Sequence, residues 1–178
     1  MDDDGFSFCL PLILREEGGN DDDPHDPGGR TSRGIIQREY NAWRQSHSEP
    51  LKDVWSASDA EVAAIYETQY WQPWCPKLPA GLNLVYFDMA VNSGPLRAAK
   101  LLQQALDVRV DGHIGMVTLS AIGAASPIKI ISRFSDSRRA FYRELHTFKY
   151  FGKGWLARTA LIEQAALKMA ASSVETSV

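Results

Sequence analysis

The sequence predicts a mainly α fold of about seven helices, with one small β-hairpin or irregular segment after the first helix. Three observations carry this expectation. Apolar residues recur at helical spacing through most of the chain, capping residues and Pro or Gly breakers punctuate those runs, and only 20–34 is too rich in Asp, Gly and Pro to continue a helix. A chain of 178 residues, 44% apolar and 23% charged, is an ordinary globular composition that can bury a core without staples. Cys9 and Cys75 lack CxxC spacing, which sets aside a zinc ribbon or a disulfide framework and leaves room for one isolated bridge.

The apolar run 6–14 nearly fills a first helix, with Asp4 as its N-cap and Gly18-Gly19 as its stop. Pro11 either kinks this helix or marks the first turn of its regular part. The run follows Asp2, Asp3 and Asp4 and falls short of the ~20 apolar residues of a membrane span. Neither a signal peptide nor stable membrane insertion is expected, and the protein is read as made in the cytoplasm. Segment 20–34, with two Asp-Pro pairs and a Gly-Gly, reads as turns and a small hairpin ending at Ile35-Ile36.

A helix over 36–46 puts Tyr40 and Trp43 on one face. Ser58-Asp59-Ala60-Glu61 is a capping box that opens a helix through Val62, Ile65, Tyr66, Gln69 and Tyr70. Pro73, Pro76 and Pro79 end it and mark the best candidate for a lobe boundary. Helices over 82–91 and 96–106 flank Asn92-Ser93-Gly94-Pro95, and a turn at Asp111-Gly112 precedes a short helix over 116–122. Ser126-Pro127 opens a long helix to about Tyr150, which Gly152 to Gly154 separates from a last helix over 155–170.

Charge is unevenly spread. Residues 1–26 hold nine acids against one base, and residues 128–168 hold nine bases against three acids. The basic half suits an anionic polymer such as nucleic acid, teichoic acid or the cell wall, although bases interleaved with a helical apolar pattern also read as solvated helix faces.

Glu16-Glu17 ends a very apolar helix. Desolvation and the partial negative charge at a helix C-terminus both raise the pKa of a carboxyl group placed there, as a general acid requires. Helical arithmetic does not choose between the two: Glu16 lies roughly 140° and Glu17 roughly 120° from the centre of the polar stripe Ser7, Pro11, Arg15, at about 100° per residue. The plainer alternative is a pair of solvated acids in a fraying last turn. Against it, Asp26 and Thr31 follow at a spacing that lets a hairpin bring a second carboxylate and a hydroxyl opposite the first carboxyl, and paired carboxylates are the machinery of glycoside hydrolysis.

Glu17-Gly18-Gly19, Asp23-Pro24, Asp26-Pro27-Gly28-Gly29, Thr31 and Gly34-Ile35 together resemble the N-terminal signature of the phage and prophage muramidases of glycoside hydrolase family 108. The stretch from Asp88 to Gly94, then Gln103, Val110-Asp111-Gly112, Gly115, Thr118, Phe141-Tyr142 and Gly154-Trp155-Leu156 with Arg158, is similar to the helical peptidoglycan-binding lobe of the same proteins. The resemblance implies a lysozyme-like fold that cleaves the β-1,4 bond between N-acetylmuramic acid and N-acetylglucosamine. It implies Glu17 as the acid, because the family's glutamate immediately precedes Gly-Gly, and Asp26 and Thr31 as its partners. Asn20 stands where the family carries Tyr, so a stacking surface is either missing here or supplied from elsewhere.

On this reading residues 1–75 form a catalytic lobe and 76–178 a helical peptidoglycan-binding-like lobe, packed together as one compact unit. Asn92, Tyr70, Trp71 and Trp74 are the candidate substrate-binding residues, with a helix C-cap for Asn92 and core burial for the aromatics as the simpler roles. The expected partner is the peptidoglycan glycan strand, met by a monomer that reaches the wall through a holin or another export route, with no nucleic acid and no cofactor. Pro24 and Pro27 interrupt the ligand spacing that Asp21, Asp22, Asp23 and Asp26 would need for calcium, so no metal is expected either. Two other classes of reading stay in view: a non-catalytic wall-binding or morphogenetic module, and a metal-dependent hydrolase that a chelator would silence.

Overall fold

The computed structural model describes residues 4–21 and 30–175. Among them, eight α helices and a three-stranded antiparallel sheet form two compact units, one from Phe6 to Gln69 and one from Tyr70 onward that also takes in Gly5. The mainly α class with a small sheet after the first helix is as the sequence predicts.

In the first unit, α1 (Asp4–Glu17) continues through Pro11, so the helix does not begin there. Pro11 cannot donate to the Ser7 carbonyl, but Ser7, Pro11 and Arg15 all lie on the exposed face, where solvent reaches that carbonyl. The opposite stripe, Phe6, Cys9 and Ile13, is buried. Gly18, at φ +77°, turns the chain out of the helix directly after Glu17. β1 (Asn20–Asp21), β2 (Thr31–Ser32) and β3 (Ile35–Ile36) follow in sheet order. The β2–β3 connection is the two-residue turn Arg33-Gly34, both at positive φ (50° and 77°), the left-handed pair that matches hairpin twist. α2 (Gln37–Ser46) and α3 (Asp59–Tyr66) complete the unit, and a π-helical turn, Glu67–Trp71, continues α3 across its edge.

In the second unit, every residue of α4 (Leu82–Ser93) from Leu82 to Ala90 is buried. A helix apolar on all sides has to be surrounded, and α5 (Pro95–Leu106), α7 (Pro127–Glu144) and α8 (Phe148–Glu175) pack on it while α6 (Met116–Ala124) packs on α5. The break expected at Gly152 to Gly154 is not there. The chain instead leaves α7 at Leu145, which is extended, and α8 runs continuously through both glycines. Gly152 serves packing: a Cβ at this position would come within 2.5 Å of the Phe148 ring. The loop after α5 is tied by the buried Gln103, whose carbonyl accepts from the backbone of Asp111 (3.0 Å) and Gly112 (2.7 Å) and whose amide donates to the Asp111 carboxylate (2.8 Å). Among the described residues, no helix is long and apolar enough to cross a membrane.

The first unit is held by a buried cation. Arg44, from α2, is 2% exposed and pairs with Glu49 (2.7 Å) and with Glu61, the capping-box residue of α3. Tyr40 donates to the same Glu61 carboxylate at 2.9 Å. Burial alone would raise the Glu61 carboxyl. The hydrogen bonds from the Ser58 backbone and hydroxyl and from Tyr40, with the Arg44 charge, outweigh it and hold the group below its ordinary value. Glu61→Ala leaves the buried guanidinium with the half-exposed Glu49 as its remaining carboxylate and is expected to cost about 3 kcal/mol in urea unfolding, the low end for breaking a buried pair. Because the native pKa is lowered, the contribution of Glu61 is complete above the usual glutamate range and is lost as pH falls through the native value. The gap between wild type and Glu61→Gln should therefore close on acidification, and a gap that widened would contradict this account.

Candidate active site

Glu17 is the last residue of α1, half-buried, and its carboxylate lies against the β2–β3 turn. The contact depends on Gly34. A Cβ at Gly34 would stand 2.9 Å from Glu17 Oε2, 3.3 Å from its Cγ and 2.7 Å from the Tyr66 hydroxyl, so only a bare Cα lets both side chains reach this point. Tyr66 is 1% exposed and donates to the Arg33 carbonyl at 2.7 Å, which pins the turn to α3. Arg33 adds an ion pair to Asp59 at 2.5 Å and a hydrogen bond to the Ala57 carbonyl. The Glu17 carboxylate is thus set directly against the hairpin turn.

Thr31 is half-buried in β2, and its carbonyl accepts from the Trp55 indole at 3.0 Å. Its cross-strand neighbour in β1 is Asp21, an exposed carboxylate to which the sequence reading gave no role. Asp26 lies outside the described residues. The geometry thus adds Gly34, Tyr66 and Asp21 to the neighbourhood of Glu17 and Thr31. The signal for Gly34 was present as the Gly-Ile pair of the motif. Tyr66 had none, because it enters through a contact 33 residues away.

The other four candidates belong to the second unit. Trp71 is 4% exposed and set edge-on to Phe87 at 5.2 Å, a core position. Tyr70 and Trp74 are half-buried, with Lys77 Nζ 4.9 Å over the Trp74 ring. Asn92 is exposed near the end of α4, and its Oδ1 accepts from the Tyr142 hydroxyl (2.6 Å) and from Ser93 (3.0 Å). Two acceptor bonds on Oδ1 fix which amide atom is the oxygen, which leaves Nδ2 as the donor end of the side chain.

A buried relay stands behind Tyr142. Arg138 donates to its oxygen at 3.0 Å and pairs with Asp88 at 2.5 Å, and Arg158 donates to the other Asp88 oxygen at 2.9 and 2.7 Å. Asp88 is fully buried. Burial raises the Tyr142 phenol more than the Arg138 charge lowers it, so the hydroxyl stays a donor. Three of the nine bases in 128–168 are therefore engaged in ion pairs: Arg138 and Arg158 with the buried Asp88, and the partly exposed Arg139 with Glu163 and Asp136. Among the described residues, no group of three or more His, Cys, Asp or Glu side chains is placed to hold a metal.

Comparison with known proteins adds the family. Residues 10–94 match the model described as Glycosyl hydrolase 108, and residues 97–160 match the model described as Predicted Peptidoglycan domain. No curated protein matches. Among solved structures, SagA of Brucella abortus is similar at 35% identity and a TM-score of 0.81, over 93% of this chain and 95% of that one. The Glu-Gly-Gly helix end, the glycine hairpin facing it and the relay from Asp88 to Asn92 thus lie within a pattern shared along nearly the whole length, and the chain belongs to the glycosyl hydrolase 108 family, with a peptidoglycan domain following the hydrolase region.

Proposed function

We propose that the protein is an N-acetylmuramidase that cleaves the β-1,4 bond between N-acetylmuramic acid and N-acetylglucosamine in peptidoglycan, in cell lysis or wall remodelling. The observation that carries this reading is the position of Glu17, a carboxyl group at a helix end, half-buried and held against a glycine turn, within a glycosyl hydrolase 108 match. Glu17 is the general acid that protonates the glycosidic oxygen. Asp26 stabilises the cationic transition state or orients water, and Thr31 positions it. Asn92, Tyr70 and Trp74 contact the glycan, whereas the burial of Trp71 supports a role in shaping the wall beneath them. The enzyme works on the wall side of the membrane.

The Glu17→Gln variant is expected to lower release of reducing ends from purified peptidoglycan at least ~100-fold, the usual scale of a lost general acid, while still sedimenting with it. Equal turnover in the two proteins would end the assignment, and sedimentation by wild type without any release would favour a non-catalytic wall-binding module. Mass spectrometry of the products should show muramic acid at the reducing end. Gly34→Ala, which drives a methyl group into Glu17 and Tyr66 at positive φ, is expected to reduce turnover at least ~10-fold with Glu17 intact. It should also cost about 1–2 kcal/mol in thermal unfolding. Asp26→Asn is expected to reduce turnover strongly and Asp21→Asn weakly; the reverse order would move the second carboxylate to the residue opposite Thr31.

A further inference from the structure

We infer that the start of α8 and the end of α4 form a binding platform for a neutral N-acetylated sugar, built from Phe151, Trp155 and the Asn92 amide. The inference rests on the peptidoglycan reading and assigns a place on the second unit where the glycan strand lies. Phe151 is 57% exposed, its ring is 5.7 Å from that of the half-buried Trp155 with 34° between the planes, and Trp155 in turn lies 5.1 Å from Tyr142. The rings thus step down from solvent to the core and end at the hydroxyl that fixes Asn92. An N-acetyl hexosamine needs this combination. The C–H face of the pyranose stacks on the negative face of an aromatic ring, and the acetamido carbonyl takes a fixed N–H donor, here Asn92 Nδ2.

Two further observations favour a sugar over other occupants. Gly154, about 60° round the helix from Phe151, has nothing within 4 Å of where its Cβ would be, so packing does not require glycine at an interior helical position that disfavours it. The absent side chain leaves space open beside the rings. The guanidinium groups beside the rings, Arg138 against Tyr142 and Arg158 one turn on from Trp155, are both paired with Asp88 and so are not held out for an anionic lipid headgroup, while Lys149 Nζ lies over the Tyr150 ring next to Phe151.

The test uses the full-length chain carrying Glu17→Gln, so that sugar is bound without turnover, with an N-acetylglucosamine tetrasaccharide as the probe followed by tryptophan fluorescence. Phe151→Ala and Asn92→Ala are each expected to weaken binding at least fivefold. Gly154→Leu, which fills the open space and improves helix propensity, should weaken it similarly with an unchanged or higher Tm. Binding should be nearly insensitive to salt. Tetrasaccharide binding that is absent, or unchanged in Phe151→Ala and Gly154→Leu, overturns the platform, as does Phe151-dependent sedimentation with phosphatidylglycerol vesicles alongside unchanged sugar affinity. Loss of sugar affinity in these variants upholds the platform even where the unsubstituted protein releases no reducing ends, a result that would count against the muramidase reading alone.

Discussion

A carboxylate with no access to water has to be neutralised in place, and Asp88 imposes that requirement on the second unit. Left alone in an apolar interior it would carry a desolvation penalty of several kcal/mol. The compensation comes from two guanidinium groups on two different helices, Arg138 of α7 and Arg158 of α8, each taking one oxygen. α4, α7 and α8 are therefore locked in mutual register as well as packed. Everything at the exposed end of α4 follows from that lock: Arg138 holds Tyr142, Tyr142 holds the Asn92 amide, and the Tyr142 ring sets the position of Trp155.

The first unit meets the opposite demand, which is to place an acid close to backbone with almost no secondary structure to do it. Its strands are two residues long and contribute little stability themselves. Precision comes from conformational restriction. The left-handed turn at Arg33-Gly34 fixes the hairpin, Tyr66 fixes the turn, and the Arg44–Glu61 pair fixes the helix that carries Tyr66. The acid itself sits where α1 ends because Gly18 ends it there.

Much of this was legible in the sequence, because local rules decide it. The capping box at Ser58, Pro95 and Pro127 at helix starts, the stop after Glu17 and the small hairpin are properties of a few adjacent residues, and the structure has each of them. What sequence reading missed depends on partners far along the chain. Tyr142 reaches Asn92 across 50 residues and Arg158 reaches Asp88 across 70, so the motif residues could be recognised without their joint purpose being visible. Gly152 misled for a related reason: a glycine that breaks a helix and one that admits a ring look alike until the ring is placed. Helical arithmetic left Glu16 and Glu17 equivalent because the turn that Glu17 lies against is built by residues further along the chain.

The two cysteines give the molecule a further property. Both are buried, and burial pushes the Cys9 thiol up to about 12. A thiol so rarely ionised is a poor nucleophile for exchange and a poor target for oxidants, since the thiolate is the reacting species. At this position in α1 the fold thus shields a sulfur from its surroundings, so that Cys9 contributes as an apolar core side chain and not as a redox handle.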